Sequence, residues 1–206
     1  EEGLNIEMGT AHQAVLGNTS ITSELTFYRN DINNWIIWIP SFKGYWEPMN
    51  IKNVLSKGLE ANLKYRGISG HWDYSIFASY TYTQARNYGD PLVWGDESYG
   101  KQLVYVPLHS GNLMAKLSFK KFTIGWQHNA YSERYTTSSN DVSRRDWLYP
   151  YFMNDLSLAH HHMTGKVEIH TQLKAYNVFD ESYHSILYRP MPGRHYHLML
   201  TFKFKK

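Results

Sequence analysis

The sequence predicts an all-β protein, a membrane-spanning antiparallel β-barrel. Three observations carry this. Aromatic residues make up 16% of the 206-residue chain, with 17 Tyr and 7 Trp, yet mean hydropathy is −0.52. Apolar and polar residues alternate with period two over runs of ten or more. Short turns alternate with long connections. An aromatic-rich chain that is hydrophilic on average is what strands with one apolar and one polar face produce, and barrel strands in lipid need that pattern. An aromatic-rich soluble sandwich shares the composition, so the other two observations decide.

The alternation is explicit in the last strand, His195–Phe204. Tyr196, Leu198, Leu200, Phe202 and Phe204 fall on one face, and His195, His197, Met199, Thr201 and Lys203 on the other. Trp72, Tyr74, Ile76, Ala78, Tyr80 and Tyr82 oppose Asp73, Ser75, Ser79, Thr81 and Thr83. Leu55, Leu59, Ala61, Leu63 and Tyr65 oppose Glu60, Asn62 and Lys64, and Val167, Ile169, Leu173 and Ala175 oppose Glu168, His170, Gln172 and Lys174. A polar second face sees water. Runs of this length suit a tilted transmembrane strand and exceed the strands of a soluble sandwich.

Nine strands are expected, at 4–16, 19–31, 52–66, 71–86, 109–119, 122–134, 151–163, 166–178 and 195–204. Hairpin turns fall at Gly17-Asn18, Gly67-Ile68-Ser69-Gly70, Lys120-Lys121 and Thr164-Gly165. The long connections run over 40–50, 87–104, 135–150 and 179–193. Loops of that length are uncommon in a compact soluble domain, whereas outer-membrane barrels pair short turns on one side with long loops on the other. Single-chain bacterial barrels have an even strand count, so nine strands are expected to need further strands to close.

No apolar run approaches the length of a helical membrane span. Glu1-Glu2-Gly3-Leu4 has neither the basic region nor the apolar core of a signal peptide. Cysteine is absent, which removes disulfides and thiolate metal sites. The formal charge of +3 comes from mixed signs without a basic block, so nucleic acid is not an expected partner.

Three stretches resemble a known family. Gly3-Leu4-Asn5-Ile6-Glu7-Met8-Gly9 is the first. Phe27-Tyr28-Arg29-Asn30-Asp31-Ile32-Asn33-Asn34-Trp35-Ile36, with Ser56-Lys57-Gly58-Leu59-Glu60-Ala61, is the second. Tyr176-Asn177-Val178-Phe179-Asp180-Glu181-Ser182-Tyr183, then Pro190-Met191-Pro192-Gly193-Arg194 and a strand ending in Phe204, is the third. Together they resemble the C-terminal barrel portion of TonB-dependent outer-membrane receptors of a Bacteroidetes type. The resemblance implies that residues 1–206 supply strands 14–22 of a 22-stranded barrel. The plug and remaining strands would then lie outside this chain, which would be a split, nicked or truncated receptor. It implies residence in the bacterial outer membrane among its lipids, energy from the TonB complex acting through the plug, and no cofactor. A surface lipoprotein is a possible further partner. Phe204 corresponds to the terminal aromatic that serves as an assembly signal, although Lys205 and Lys206 follow it here.

The expected function is active import of a large, scarce nutrient. Trp35-Ile36-Ile37-Trp38-Ile39-Pro40, with Gly44-Tyr45-Trp46 and Pro48-Met49-Asn50-Ile51, is most similar to cobalamin receptors of the family. Haem or a ferric siderophore is the alternative within that class. A structural, adhesive or passive porin barrel, or a soluble glycan-binding protein, is the alternative outside it. Large rigid aromatics on loops contact a bulky ligand at low entropic cost, so Tyr45, Trp46, Trp94, Tyr99 and Tyr188 are the candidate substrate contacts. His195 and His197, with His184 nearby, could join them from the lumenal stripe. In His160-His161-His162, alternation puts only His160 and His162 on one face, so they are taken as polar residues at the membrane interface, and no metal site is assigned. Asp90, Asp96 and Glu97 lack the spacing of an EF-hand. No Ser/His/Asp spacing supports catalysis, so no enzyme activity is expected.

Overall fold

The computed structural model describes residues 2–40, 45–89, 97–143 and 147–204, with backbone alone at 37–40, 46–47 and 49–52. Its strands are β1 (Glu2–Leu16), β2 (Thr19–Pro40), β3 (Trp46–Ser69), β4 (Trp72–Asn87), β5 (His109–Phe119), β6 (Phe122–Tyr131), β7 (Arg134–Tyr135), β8 (Trp147–Leu148), β9 (Tyr151–Thr164), β10 (Val167–Tyr176) and β11 (His195–Phe204). Nine form one antiparallel sheet in the order β1-β2-β3-β4-β5-β6-β9-β10-β11, and β7 and β8 form a separate pair. The sheet does not close on itself: β1 pairs only with β2, and β11 only with β10. The described residues contain no helix.

Every expected strand of the sheet is present. The alternation specifies register because a one-residue slip would move each apolar set to the wrong face. The ladders carry one apolar surface across all nine strands. Leu198 pairs with Leu173, Leu173 with Leu158, Leu158 with Ile124, and Ile124 with Leu117. Leu117 pairs with Tyr74, and two same-face positions further along β4, Ala78 pairs with Leu63. On this surface Leu158 is 46%, Leu173 47% and Leu198 61% exposed. Only Val54, Ala85, Leu148 and Tyr151 are buried apolar residues among those described. A protein whose large apolar side chains point outward has lipid for its core solvent.

Aromatics border this surface at both ends. Near the tight turns, Trp72 packs on Phe119 at 4.4 Å and Phe122 on His160 at 4.5 Å between ring centroids. Near the long loops stand Tyr80, Phe152 and Tyr196, all exposed. Leu113, Ala115, Ile124, Leu158 and Leu173 lie between. This is the girdle arrangement of a membrane barrel. The opposite face carries Glu24, Glu60, Lys64, Lys116, Gln127, Asp155, Gln172 and Lys174, with Gln127 directly opposite Asp155.

The structure differs from the sequence-based expectation at several boundaries. The connection expected over 40–50 is mostly strand: β2 runs to Pro40 and β3 starts at Trp46. The uniformly apolar Trp35–Pro40 stretch has no period-two signal, and Asn33-Asn34 and Pro48 read as breakers. The turn expected over Gly67–Gly70 is the tighter Gly70-His71, and that at Thr164-Gly165 lies one residue later at Gly165-Lys166. The strand expected to Arg134 stops at Tyr131, and the long connection after it contains the β7–β8 pair.

The four tight turns each open with a positive φ, at Gly17, Gly70, Lys120 and Gly165, which is the first-position demand of a type II′ hairpin. Lys120 alone bears a side chain there, at φ 53°. A β-carbon in this region costs about 1–2 kcal/mol. Lys120→Gly is therefore expected to stabilise the folded barrel by about 1 kcal/mol in urea unfolding from lipid vesicles, and an unchanged or lower midpoint would contradict the assignment of strain.

Candidate functional site

Since the tight turns occupy one end of the sheet, all four long connections leave from the other. Hydrogen bonds tie three of them into a rim. Gln102, in the β4–β5 connection, anchors its own loop: its Nε2 donates to Thr83 O at 3.0 Å and its Oε1 accepts from Ala85 N at 3.0 Å. Its backbone then pairs reciprocally with Asn140 in the β6–β9 connection. Gln102 N donates to Asn140 Oδ1 at 2.7 Å, and Asn140 Nδ2 donates to Gln102 O at 2.8 Å. Tyr105 N donates to Tyr135 O at 2.8 Å, closing the same two loops a second time.

Arg134 joins the β6–β9 connection to the β10–β11 connection. It is 5% exposed, its Nη2 donates to His184 O at 2.9 Å, and its guanidinium lies 4.9 Å from the centre of the Tyr151 ring. Tyr151 in turn packs on Tyr183 at 4.9 Å. Burial raises the Tyr183 hydroxyl pKa above the ordinary tyrosine value, and the nearby Asp155 carboxylate adds to that.

The β10–β11 connection is held by Asn177, which is 1% exposed at φ 50°. Its Nδ2 donates to Glu181 O at 2.9 Å, its Oδ1 accepts from Glu181 N at 2.8 Å, and its own N–H donates to Asp155 Oδ1 at 2.8 Å. At the far end of the loop, Asp180 Oδ1 accepts from Arg194 N at 2.8 Å. The stretch Tyr176–Tyr183 with Gly193-Arg194 thus works as a clasp that brings the chain back to start β11.

Two concavities can hold ligand atoms. One, of about 350 Å³, opens between the first two tied loops and is lined by Arg86, Lys101, Gln102, Glu133, Tyr135 and Asn140 among others. The second, of about 260 Å³, lies on the polar face and includes Lys116, Gln127, Asp155, Gln172, Lys174 and Tyr176. A neighbouring hollow of about 250 Å³ shares Lys116 and adds Lys64 and Arg66. Arg66 is paired with Asp73 at 3.0 Å. Lys64, Lys116 and Lys174 make a cationic stripe across the polar face.

The sequence-predicted contacts are distributed over this end of the sheet. Tyr45 is half exposed at the tip of the β2–β3 hairpin. Trp94, with Asp90 and Asp96, lies outside the described residues, as does the side chain of Trp46. Tyr99 packs edge-on against Tyr88 at 5.9 Å, and Tyr188 is 74% exposed at φ 60°. His195 stacks on Tyr176 at 4.8 Å and its Nδ1 lies 2.9 Å from Gly193 O, which makes Nδ1 the donor. His197 pairs with Lys174 across β10–β11. Among the described residues, His184, His195 and His197 do not converge as a ligand cluster; only His161, Glu168 and His170 do. Phe204 ends the apolar face of β11 opposite Val167.

The rim residues Gln102, Arg134 and Asn140 were not among the sequence candidates. Their roles depend on contacts between loops, and the one local signal was a lone arginine closing an expected strand.

An apolar outer surface with two aromatic borders, a polar inner face and all long loops at one end define an outer-membrane β-barrel. The chain belongs to the family of TonB dependent receptor-like β-barrels, whose family model matches residues 1–178. In structure it is similar to the ferric citrate transporter FecA in its unliganded form, with TM-score 0.72 and 15% identity over 98% of this chain and 31% of that one. It is also similar to the siderophore receptor PiuA from Acinetobacter baumannii, with TM-score 0.70 and 20% identity over 96% of this chain and 28% of the other. A third is BauA, the ferric preacinetobactin receptor from Acinetobacter baumannii, with TM-score 0.68 and 15% identity over 97% and 29%. The chain spans about three tenths of the length of these proteins. No curated protein matches it in sequence.

Proposed function

We propose that this chain is the C-terminal part, strands 14–22, of a receptor that imports a large, scarce nutrient across the outer membrane with energy from the TonB complex. Its partners in that reading are the remaining barrel strands and a plug in the lumen, through which TonB acts, with a surface lipoprotein as a possible cap. Tyr45, Trp46, Trp94, Tyr99, Tyr188, His195 and His197 are the proposed substrate contacts on the loop side, and Phe204 the proposed assembly signal.

The observation that carries the substrate reading is the lumenal stripe of Lys64, Lys116 and Lys174 beneath a hydrogen-bonded rim. Lysines lining a low-dielectric channel, here outnumbering the one carboxylate of Asp155 in the same hollows, concentrate anions, which suits an anionic ferric chelate better than cobalamin. The similar structures, a ferric citrate transporter, a ferric preacinetobactin receptor and a siderophore receptor, favour the same class. The cobalamin reading rests on 35–51, of which 35–40 and 46–51 pair as the outer part of the β2–β3 hairpin.

The test is uptake of iron-55 siderophore complexes by cells whose only receptor for them is the intact protein. Uptake that requires TonB, and falls by roughly tenfold or more in a Lys116→Glu/Lys174→Glu variant that still assembles, is the expected result. TonB-independent permeation would leave only a passive barrel. TonB-dependent uptake of cobalamin and not of iron would keep the class and overturn the substrate.

A further inference from the structure

The β9–β10 hairpin contains three consecutive histidines whose side chains alternate. His160 and His162 lie on the apolar surface, where His160 stacks on Phe122 at 4.5 Å and the two imidazoles lie 6.1 Å apart. His161 points to the polar face, where its direct partner on β10 is His170. The two rings stack at 4.5 Å with 28° between planes. Glu168, two residues nearer the turn on the same face of β10, completes a triangle. Its Oε1 lies 3.0 Å from His161 Nε2 and 2.6 Å from His170 Nε2. The three ligand atoms are all within 4.8 Å of one another.

One carboxylate oxygen is an awkward common partner for two imidazole nitrogens. His170 Nε2 makes a hydrogen bond to it. His161 Nε2, although as near as 3.0 Å, lacks hydrogen-bond geometry and is shielded from solvent. A shielded polar atom left without a partner is unfavourable, although the rest of the His161 ring is accessible. A cation at the shared point would engage all three atoms at once. Tetrahedral coordination with bonds of about 2.0–2.1 Å separates ligand atoms by roughly 3.3–3.4 Å, so Glu168 Oε1 needs to draw back from each imidazole by less than about 1 Å. Two imidazoles and a carboxylate suit zinc, copper(II) or nickel, whereas calcium and magnesium call for oxygen cages. Lys203 lies opposite Glu168 on β11, and its flexible stem lets the ammonium move to solvent as the ion enters.

We propose that His161, Glu168 and His170 form a binding site for a divalent transition-metal ion of the zinc class. It lies on the polar face at the tight-turn end, with a coordination position open to the lumen. The site is at the end opposite the rim and does not rest on the transport reading.

The test uses the intact receptor, stripped of metal in detergent. Zinc titration by calorimetry should show a saturable site, and copper(II) paramagnetic resonance should show coupling to two imidazole nitrogens. His161→Gln or His170→Gln should weaken zinc by more than the roughly 10–100-fold that loss of an outer-shell partner costs. His160→Gln and His162→Gln, on the other face, should leave it unchanged. Heat-dependent gel migration reports whether each variant is a folded barrel. Equal affinity in the His161→Gln and wild-type proteins, loss on changing His160 or His162, or a wild-type copper spectrum with fewer than two nitrogens would overturn the proposal. The spectrum decides even if a variant fails to fold.

Discussion

Asn177→Ala is expected to destabilise the folded barrel by about 3–5 kcal/mol. The substitution strips two hydrogen bonds from a side chain that is 1% exposed, leaving Glu181 N and Glu181 O without their partners. Both groups are only partly buried, so each one orphaned costs about 1–2 kcal/mol, the lower part of the range for buried groups. Alanine must also hold the left-handed φ of 50° that asparagine tolerates, for about 1 kcal/mol more. Asn177→Gly removes the second cost and keeps the first, so it should fall between the two proteins. Urea unfolding of the intact receptor in lipid vesicles measures both. A loss under about 1 kcal/mol for alanine would mean that the clasp does not hold the β10–β11 connection.

The second large effect separates the two faces with adjacent residues. Leu173→Arg puts a guanidinium among Leu158 and Leu198 on the apolar surface, between the aromatic borders. Near the bilayer midplane this costs about 2–4 kcal/mol. Gln172→Arg, one residue earlier, lands on the polar face beside Asp155 and Lys174 and should stay within about 0.5–1 kcal/mol of the parent. Folding yield and urea midpoint in vesicles report the contrast. Equal penalties at the two positions would remove the assignment of faces, and with it the barrel orientation.

The sheet was legible because lipid and water impose opposite demands on alternate residues. Where that demand lapses, the reading lapsed. The apolar run from Trp35 to Pro40 has no alternation, and the structure makes it strand through its pairing with 46–51. The histidine triplet shows a subtler limit. Parity alone placed His160 and His162 together, correctly. The cluster of His161 with His170 and Glu168 becomes visible only with the β9–β10 register. The rim was illegible for the same reason: Gln102 and Asn140 are 38 residues apart, and nothing local links them. The family terminus around Asn177 was legible as a resemblance, and its physical content, a buried asparagine closing a loop, needed coordinates.

The β2–β3 hairpin outruns its neighbours. β4 stops at Asn87 opposite Val54, while β2 and β3 continue pairing from Trp35 opposite Ile51 to Pro40 opposite Trp46. The ladder skips a step at Asn34, which sits at φ 56°. The outer segment is therefore a two-stranded ribbon jointed to a nine-stranded wall. A lone ribbon in water is marginally stable, whereas the wall's inner amides are paired on both sides and shielded by lipid. The two parts are expected to behave as separate cooperative units, with amide exchange of the ribbon faster than that of the wall. A ligand that orders the ribbon would draw on its local free energy alone, so capture at the surface need not loosen the membrane-embedded part of the molecule.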